Sequence, residues 1–119
     1  MKEEKIKVMM VKVGTDPYIT EIDNNLPALQ GTVGGYIECI SPFSDMEVDL
    51  VCNEEGKLQG LTPNRYLIDK ATNKVVDLLV GDFFLCSSDN EGNFASLSDE
   101  QIKKIKSQFR VTASAVWFQ

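Results

Sequence analysis

The chain has 119 residues, with 12 Lys and Arg against 18 Asp and Glu, no His, and a formal net charge of −6. A chain of this length builds one domain, residues 1–119, and can bury a core without disulfides or a structural metal. The acidic balance argues against direct nucleic-acid binding, which needs a basic stripe. Residues 1–5 are charged, and we expect them to be frayed.

The thiols Cys39, Cys52 and Cys86 are odd in number. Together with the lack of a signal-peptide core, this predicts reduced cysteines and a cytoplasmic protein. No segment has the apolar length of a membrane span. With no His and no CxxC spacing, the sequence lacks a metal-site pattern and a Cys/His nucleophile, so we expect neither a metal nor a cofactor.

The first half of the chain alternates between strand and turn patterns. Residues 6–13 and 18–22 predict a hairpin across a Gly/Asp/Pro turn. Residues 26–33 predict a short helix that is capped by residues 23–25, has Pro27 close to its first turn, and is ended by Gly34-Gly35. Residues 36–42 and 46–52 predict two further strands. The second of these strands is predicted to have a buried face and a solvent-exposed face, with Val51 on the exposed face.

The second half predicts a loop over residues 59–65, an extended piece over 66–68, and an apolar stretch over 75–87 that bends at Gly81. Ser98 with Gln101 forms a capping-box pattern at the start of a helix. Ile102, Ile105 and Phe109 share one face of that helix. Residues 111–118 predict a final strand.

This order of elements predicts an α+β fold, with one curved, mostly antiparallel sheet and two helices on one side of it. Parallel β-α-β units are not expected, because the helices are few and do not alternate with strands.

Arg65 is the candidate site residue that stands out most. It is one of two arginines and follows residues 13–56, which contain no Lys or Arg. The acids in that stretch are Asp16, Glu21, Asp23, Glu38, Asp45, Glu47, Asp49, Glu54 and Glu55. A guanidinium on a stiff Gly-Leu-Thr-Pro-Asn-Arg loop suits phosphate or carboxylate oxygens. The alternative is an internal ion pair of Arg65 with Glu38 or Glu54.

Enzyme templates are missing from the sequence. It has no G-x-S-x-G, no P-loop and no H-E-x-x-H pattern. The glycines of residues 31–35 follow a helix, so we interpret them as a cap and not as a dinucleotide loop. Glu47 and Asp49 lie two apart on one strand, but such pairs arise easily in an acidic chain. We therefore expect no enzyme activity.

Two stretches carry a family resemblance. They are Leu29-Gln30 with Val33-Gly34-Gly35-Tyr36-Ile37-Glu38, and residues 50–58 with Gly60-Leu61 and Pro63-Asn64-Arg65. This pattern resembles a family of small phage and bacterial domains of unknown function. A Gly-x-Phe run at Gly81 and the helix start at residues 96–101 agree with it. The resemblance covers about residues 7–109, and the tail departs from it.

The resemblance implies cargo of phages and conjugative elements, and a module of large polyvalent antirestriction-type proteins. It therefore implies a role against host defence, inside the host cell, without catalytic residues. Our first hypothesis is that the protein binds and sequesters a small anionic, nucleotide-type immune signal, as a homo-oligomer. The candidate ligand-binding residues are Arg65, Asn64, Thr62, Tyr36, Glu38, Asn53 and Tyr66.

Our alternative hypothesis is a protein-binding inhibitor. The base-free acidic stretch would dock on the basic channel of a host defence nuclease, or on a CRISPR or restriction effector, and charge complementarity would steer the encounter.

Overall fold

The computed structural model describes residues 3–43 and 46–118, apart from the side chains of Gln108 and Phe109. The elements in chain order are β1 (Lys5–Val11), β2 (Tyr18–Asp23), α1 (Leu26–Val33), β3 (Ile37–Ile40), β4 (Val48–Asn53), β5 (Pro63–Asp69), β6 (Lys74–Val80), β7 (Phe83–Ser88), β8 (Phe94–Ala95), α2 (Asp99–Lys104), a π-helix (Ile105–Phe109) and β9 (Ala115–Phe118). The predicted α+β class, with two α-helices and mostly antiparallel strands, is confirmed.

The strands form two sheets. The first has the order β2-β1-β7-β4-β3, with β8 paired to β7, and the second has the order β6-β5-β9. Only the β5–β9 pairing is parallel among the described strands. The apolar stretch 75–87 is therefore not one bent strand, because β6 and β7 belong to different sheets. The chain changes sheet at Gly81, where φ is +74°.

The first sheet is covered on both faces. Helix α1 packs Leu29 and Val33 on one face. The second sheet packs on the other face together with Leu97 and Ile105, which flank α2. The expectation that both helices lie on one side of the sheet was therefore wrong. The prediction of a solvent-exposed face on β4 was also wrong, because Val51 is fully buried in the layer that contains α1.

The helix ends follow their capping signals. The Asn25 side chain accepts a hydrogen bond from the Ala28 amide, and Gly34 closes α1 with φ +83°. Ser98 and Gln101 form the predicted capping box of α2. These predictions are confirmed because capping depends only on local sequence. Leu26, the first residue of α1, is 54% exposed, whereas Leu29 and Val33 are buried.

The C-terminal segment is less regular than predicted. Helix α2 widens into the π-helix, and β9 covers only the end of the expected strand over residues 111–118. Ile105 is fully buried and Ile102 packs against the same core. The side chain of Phe109, the third member of the predicted apolar face, lies outside the described residues. The two-residue strand β8 was not predicted, because two residues have no periodicity.

Arg65 joins the two sheets. It lies in β5 and not in a loop, because β5 already begins at Pro63. Its side chain is 2% exposed. The guanidinium donates from Nε to the Thr112 carbonyl at 2.7 Å and from Nη2 to the Thr15 carbonyl at 2.6 Å. It also donates from Nη1 to the Asn64 side-chain oxygen at 2.6 Å.

The Asn64 amide extends this network into the first sheet. Its Nδ2 atom donates to the carbonyls of Val11 and Gly81, at 3.0 and 2.8 Å. We call Asn64 and Arg65, with the carbonyls of Val11, Thr15, Gly81 and Thr112, the Arg65–Asn64 junction. It ties the end of β1, the turn after it, the β6–β7 corner and the segment before β9 to one point on β5.

Replacing Arg65 will destabilise the protein, because the carbonyls that it bonds would lose a charged donor inside the fold. We expect Arg65→Met to lower the free energy of unfolding by about 2–4 kcal/mol and Arg65→Lys by about half of that. Urea denaturation measures both. Lys103→Met, at an exposed position on α2, is the control and should change it by less than about 0.5 kcal/mol. An Arg65→Met variant as stable as the control would contradict the junction.

Alanine substitutions at two glycines are expected to change the free energy of unfolding in opposite directions. Gly31 lies within α1 with open space around it, whereas a Cβ at Gly81 would lie 2.7 Å from Leu61 Cδ1 and take a positive φ. We expect Gly31→Ala to raise the free energy of unfolding by about 0.5–1 kcal/mol and Gly81→Ala to lower it by about 1 kcal/mol or more. Thermal or urea unfolding of the pair, measured together, tests the signs.

Candidate functional site

The seven residues predicted to bind a ligand fall into two groups. Thr62, Asn64, Arg65 and Tyr66 lie in β5 or just before it. Tyr36, Glu38 and Asn53 lie around the β3–β4 pair, where Glu38 pairs with Cys52 and the Glu54 amide bonds the Tyr36 carbonyl. The structure therefore does not bring the seven residues together at one surface.

Arg65 is buried, and Asn64 is half-buried. Each polar group of their side chains has a hydrogen-bond partner inside the protein. Arg65 bonds internally, although to backbone carbonyls and Asn64 and not to Glu38 or Glu54. Burial lowers the pKa of Arg65, and Asp16 opposes this effect. Thr62 is exposed, and Tyr66 is 48% exposed.

Within the second group, the Asn53 side chain forms hydrogen bonds with neighbouring segments. It is buried, and its Nδ2 atom donates to the Val33 carbonyl at 3.2 Å and to the Gln59 side chain at 3.0 Å. Its Oδ1 atom accepts the Glu55 amide at 2.8 Å. These contacts place the end of α1 against the turn after β4. The Asn53 side chain approaches Gly35 so closely that a Cβ there would lie 2.9 Å from Nδ2.

A cavity of about 140 Å³ opens beside this group, between the turn after β4 and strand β6. Its charged lining consists of Glu38, Glu54, Glu55, Asp77 and Lys57. Lys57 forms an ion pair with Asp77, so the single ammonium is already matched. Three further carboxylates remain, and their summed field favours a cationic ligand group.

An exposed apolar side chain lines the acid-lined cavity, because Leu58 is 88% exposed. Tyr36, whose carbonyl accepts the Glu54 amide, is 64% exposed. Carboxylates next to an aromatic and an aliphatic side chain provide both charge and contact area for a protein partner. Of the predicted acidic stretch, Glu38, Glu54 and Glu55 contribute to this surface. Asp45 lies outside the described residues.

The thiols are poor nucleophiles and metal ligands in this fold. Cys52 lines the cavity, and burial, followed by Glu38, raises its pKa to about 12. Cys39 is an exposed residue, yet partial burial of its sulfur, with Asp49 next to it, raises its pKa to about 11. Within the described residues, no three Cys, Asp or Glu side chains are grouped to hold a metal ion.

None of the helices described is long and apolar enough to span a membrane.

Asp77 and Leu58 were missed by the sequence reasoning. Asp77 reaches the cavity because the β5–β6 hairpin folds back over the turn after β4. That contact depends on the division into two sheets, which the sequence pattern did not reveal. The sequence does contain a signal for Leu58, because it is an isolated apolar residue within a polar turn.

A comparison with family models matches residues 6–110 to the domain of unknown function DUF3846. The matched region ends at the π-helix, so β9 and Thr112 lie beyond it. No curated protein and no solved structure matches the chain. Because the match spans well over half of its length, the chain belongs to the DUF3846 family.

Proposed function

We propose that this protein is a non-enzymatic binding protein whose acid-lined cavity docks on a cationic patch of a partner protein. The resemblance to domains of phages and conjugative elements suggests the setting. There, the partner would be a host defence nuclease or a CRISPR or restriction effector, met in the host cytoplasm. Homo-oligomer formation stays a prediction.

The observation that carries this proposal is the composition of the cavity. Among the described residues, three of its carboxylates form no ion pair with a cation, and the exposed Leu58 side chain lines it with them. A volume of about 140 Å³ exceeds that of a single water and suits the end of one Lys or Arg side chain. Channels that bind nucleic acid present Arg and Lys side chains, which end in guanidinium and ammonium groups of this kind.

A nucleotide-type ligand is disfavoured at this cavity, because its phosphates would face those same carboxylates. Arg65 does not supply the missing positive charge, since it is buried and its donors bond the junction. Capture of a small anion therefore requires a different group of cations.

The docking proposal predicts a specific charge dependence. We expect Glu38→Lys/Glu54→Lys to weaken binding to the partner by about tenfold or more, because it reverses two of the unpaired charges. Surface plasmon resonance against a panel of purified restriction and CRISPR nucleases measures the affinity at increasing salt. Wild-type binding should weaken as salt rises.

The matched control is Glu21→Lys/Glu100→Lys. It changes the net charge equally at two exposed positions outside the cavity. It should keep the wild-type affinity within about twofold, because exposed charges away from a contact contribute little. Equal losses in both variants, or no binding by the wild type to any member of the panel, would contradict docking through this cavity.

The absence of a reactive thiol predicts slow labelling. A pKa of about 11 leaves Cys39 at about one part in ten thousand thiolate at pH 7. Labelling by a disulfide reagent, followed by mass mapping, should modify Cys39 first, at a rate that rises about tenfold per pH unit from 7 to 10. Cys52 and Cys86, which are buried, should react only after unfolding. Rapid labelling of Cys52 in the native protein at pH 7 would contradict this account.

A further inference from the structure

Strand β6 forms one edge of the second sheet. In the part of the chain that the structure describes, β6 pairs with β5 alone, and β9 lies on the other side of β5. An edge strand presents a row of backbone N–H and C=O groups, which is a template for a further strand. The turn after β4 meets the far end of β6, because a Cβ on Gly56 would lie 2.8 Å from Val80 Cγ2. The accessible part of this edge is therefore residues 74–78.

A side chain bonds one backbone donor of this edge. The Leu78 amide donates to Asp77 Oδ1 at 2.8 Å, and Lys57 forms an ion pair with the same oxygen. Charged side chains often protect the edge strands of natural sheets in this way. An amide that bonds a side chain remains a donor that the carbonyl of an incoming strand can take over.

The outer face of the edge is apolar. Val75 and Val76 are 56% and 55% exposed. Val75 pairs with Ile68, which follows the buried Leu67 and so lies on the opposite face of the sheet. Tyr66, which precedes Leu67, lies on this outer face too and is 48% exposed. The outward side chains of an added strand would therefore find apolar contacts.

The inner face of the same edge opens into the acid-lined cavity. Asp77 pairs with Leu67, so it lies on the core side of the second sheet, and it lines the cavity. From the first sheet, Glu38 lines the cavity and pairs with Cys52, which belongs to the core between the sheets. The cavity thus lies between the two sheets, where β3 and β6 are their edges. Inward side chains of an added strand would meet its carboxylates.

The two faces therefore require different side chains. Successive side chains of a strand point to opposite faces, so alternate positions of an added strand would meet either carboxylates or apolar groups. Main-chain hydrogen bonds supply the affinity of such additions, and the alternate side chains supply the specificity. The edge fits a segment in which Lys or Arg alternates with apolar residues.

A second copy of this chain fits the edge less well. Pairing β6 with β6 of another copy would bring together two acid-lined cavities, in chains of net charge −6. The sequence of β6 contains one cation, Lys74, against three carboxylates of each cavity that form no ion pair among the described residues. Like charges oppose this association, whereas a cationic segment removes the repulsion.

We propose that β6 binds an extended segment of a partner protein as an added strand, and that this segment alternates basic with apolar residues. Its basic side chains enter the acid-lined cavity, and its apolar side chains pack against Val75, Val76 and Tyr66. This inference rests on the proposed docking of a cationic partner, and it adds the conformation and the sequence pattern of the docking segment.

Isothermal titration calorimetry with a synthetic peptide tests the proposal. The probe has about eight residues, within the usual range of strand lengths, with lysine and valine in alternation and both ends blocked. Two isomers carry N-methyl groups, one on every lysine nitrogen of the backbone and the other on every valine nitrogen. Only alternate N–H groups of a strand face its neighbour. One isomer should therefore bind about tenfold or more weakly than the parent peptide, and the other within about threefold of it.

Protein variants locate the bound peptide. Val75→Thr/Val76→Thr keeps the β-branched shape but removes apolar contact area, and should weaken binding by about threefold or more. Glu38→Lys/Glu54→Lys should weaken it by about tenfold or more, because it reverses two charges of the cavity. The control is Leu26→Gln, which removes a 54% exposed apolar side chain from α1 and should keep the affinity within about twofold. Circular dichroism verifies that each variant is folded.

Equal affinities of the two N-methyl isomers would overturn strand addition. So would a parent peptide that does not bind, or unchanged binding in Val75→Thr/Val76→Thr. A dimer of the free protein that sedimentation detects and that this variant loses would assign the edge to a second copy, and would overturn the proposal too. If the nuclease panel still shows binding that Glu38→Lys/Glu54→Lys weakens, docking through the cavity survives these results, so the two failures are distinguishable.

Discussion

The buried guanidinium of Arg65 is the interaction on which the rest of the structure depends. Few local contacts could hold the C-terminal segment in place, since β9 has four residues and joins the second sheet by one parallel pairing. Arg65 bonds that segment at Thr112 and the turn after β1 at Thr15, while Asn64 bonds the first sheet. A planar donor with several fixed N–H directions can connect such distant carbonyls, whereas an ammonium cannot do so with the same geometry.

Local signals in the sequence predicted the local structure well. The cap at Asn25, the glycine end of α1 and the capping box at Ser98 each depend on residues within one turn. The division into two sheets could not be predicted, because it follows from long-range pairing of β5 with β9 across about fifty intervening residues. Both faces of β4 are buried because α1 covers one face and the second sheet covers the other, so the alternation around Val51 was misleading.

The candidate site residues were also predictable only where they did not depend on contacts between distant segments. Composition singled out Arg65, which forms the Arg65–Asn64 junction, and the acidic stretch, of which Glu38, Glu54 and Glu55 line the acid-lined cavity. The sequence could not tell whether Arg65 faces solvent or the interior, because its partners are backbone carbonyls, which leave no trace in residue identity. The grouping of Glu38 with Asp77 arises only when distant segments meet. In the described part of the chain, the segments that meet in this way form a cavity lined mostly by carboxylates.

Native-state hydrogen exchange of Arg65→Lys tests most directly whether the Arg65–Asn64 junction fixes the C-terminal segment and the β6–β7 corner. The Trp117 and Gly81 amides, which bond the Arg110 and Thr62 carbonyls, should exchange about tenfold faster or more than in the wild type. The Leu29 amide in α1, far from the junction, should be affected much less. Equal exchange of Trp117 and Gly81 in the two proteins would contradict the account, because the junction would then not hold these segments.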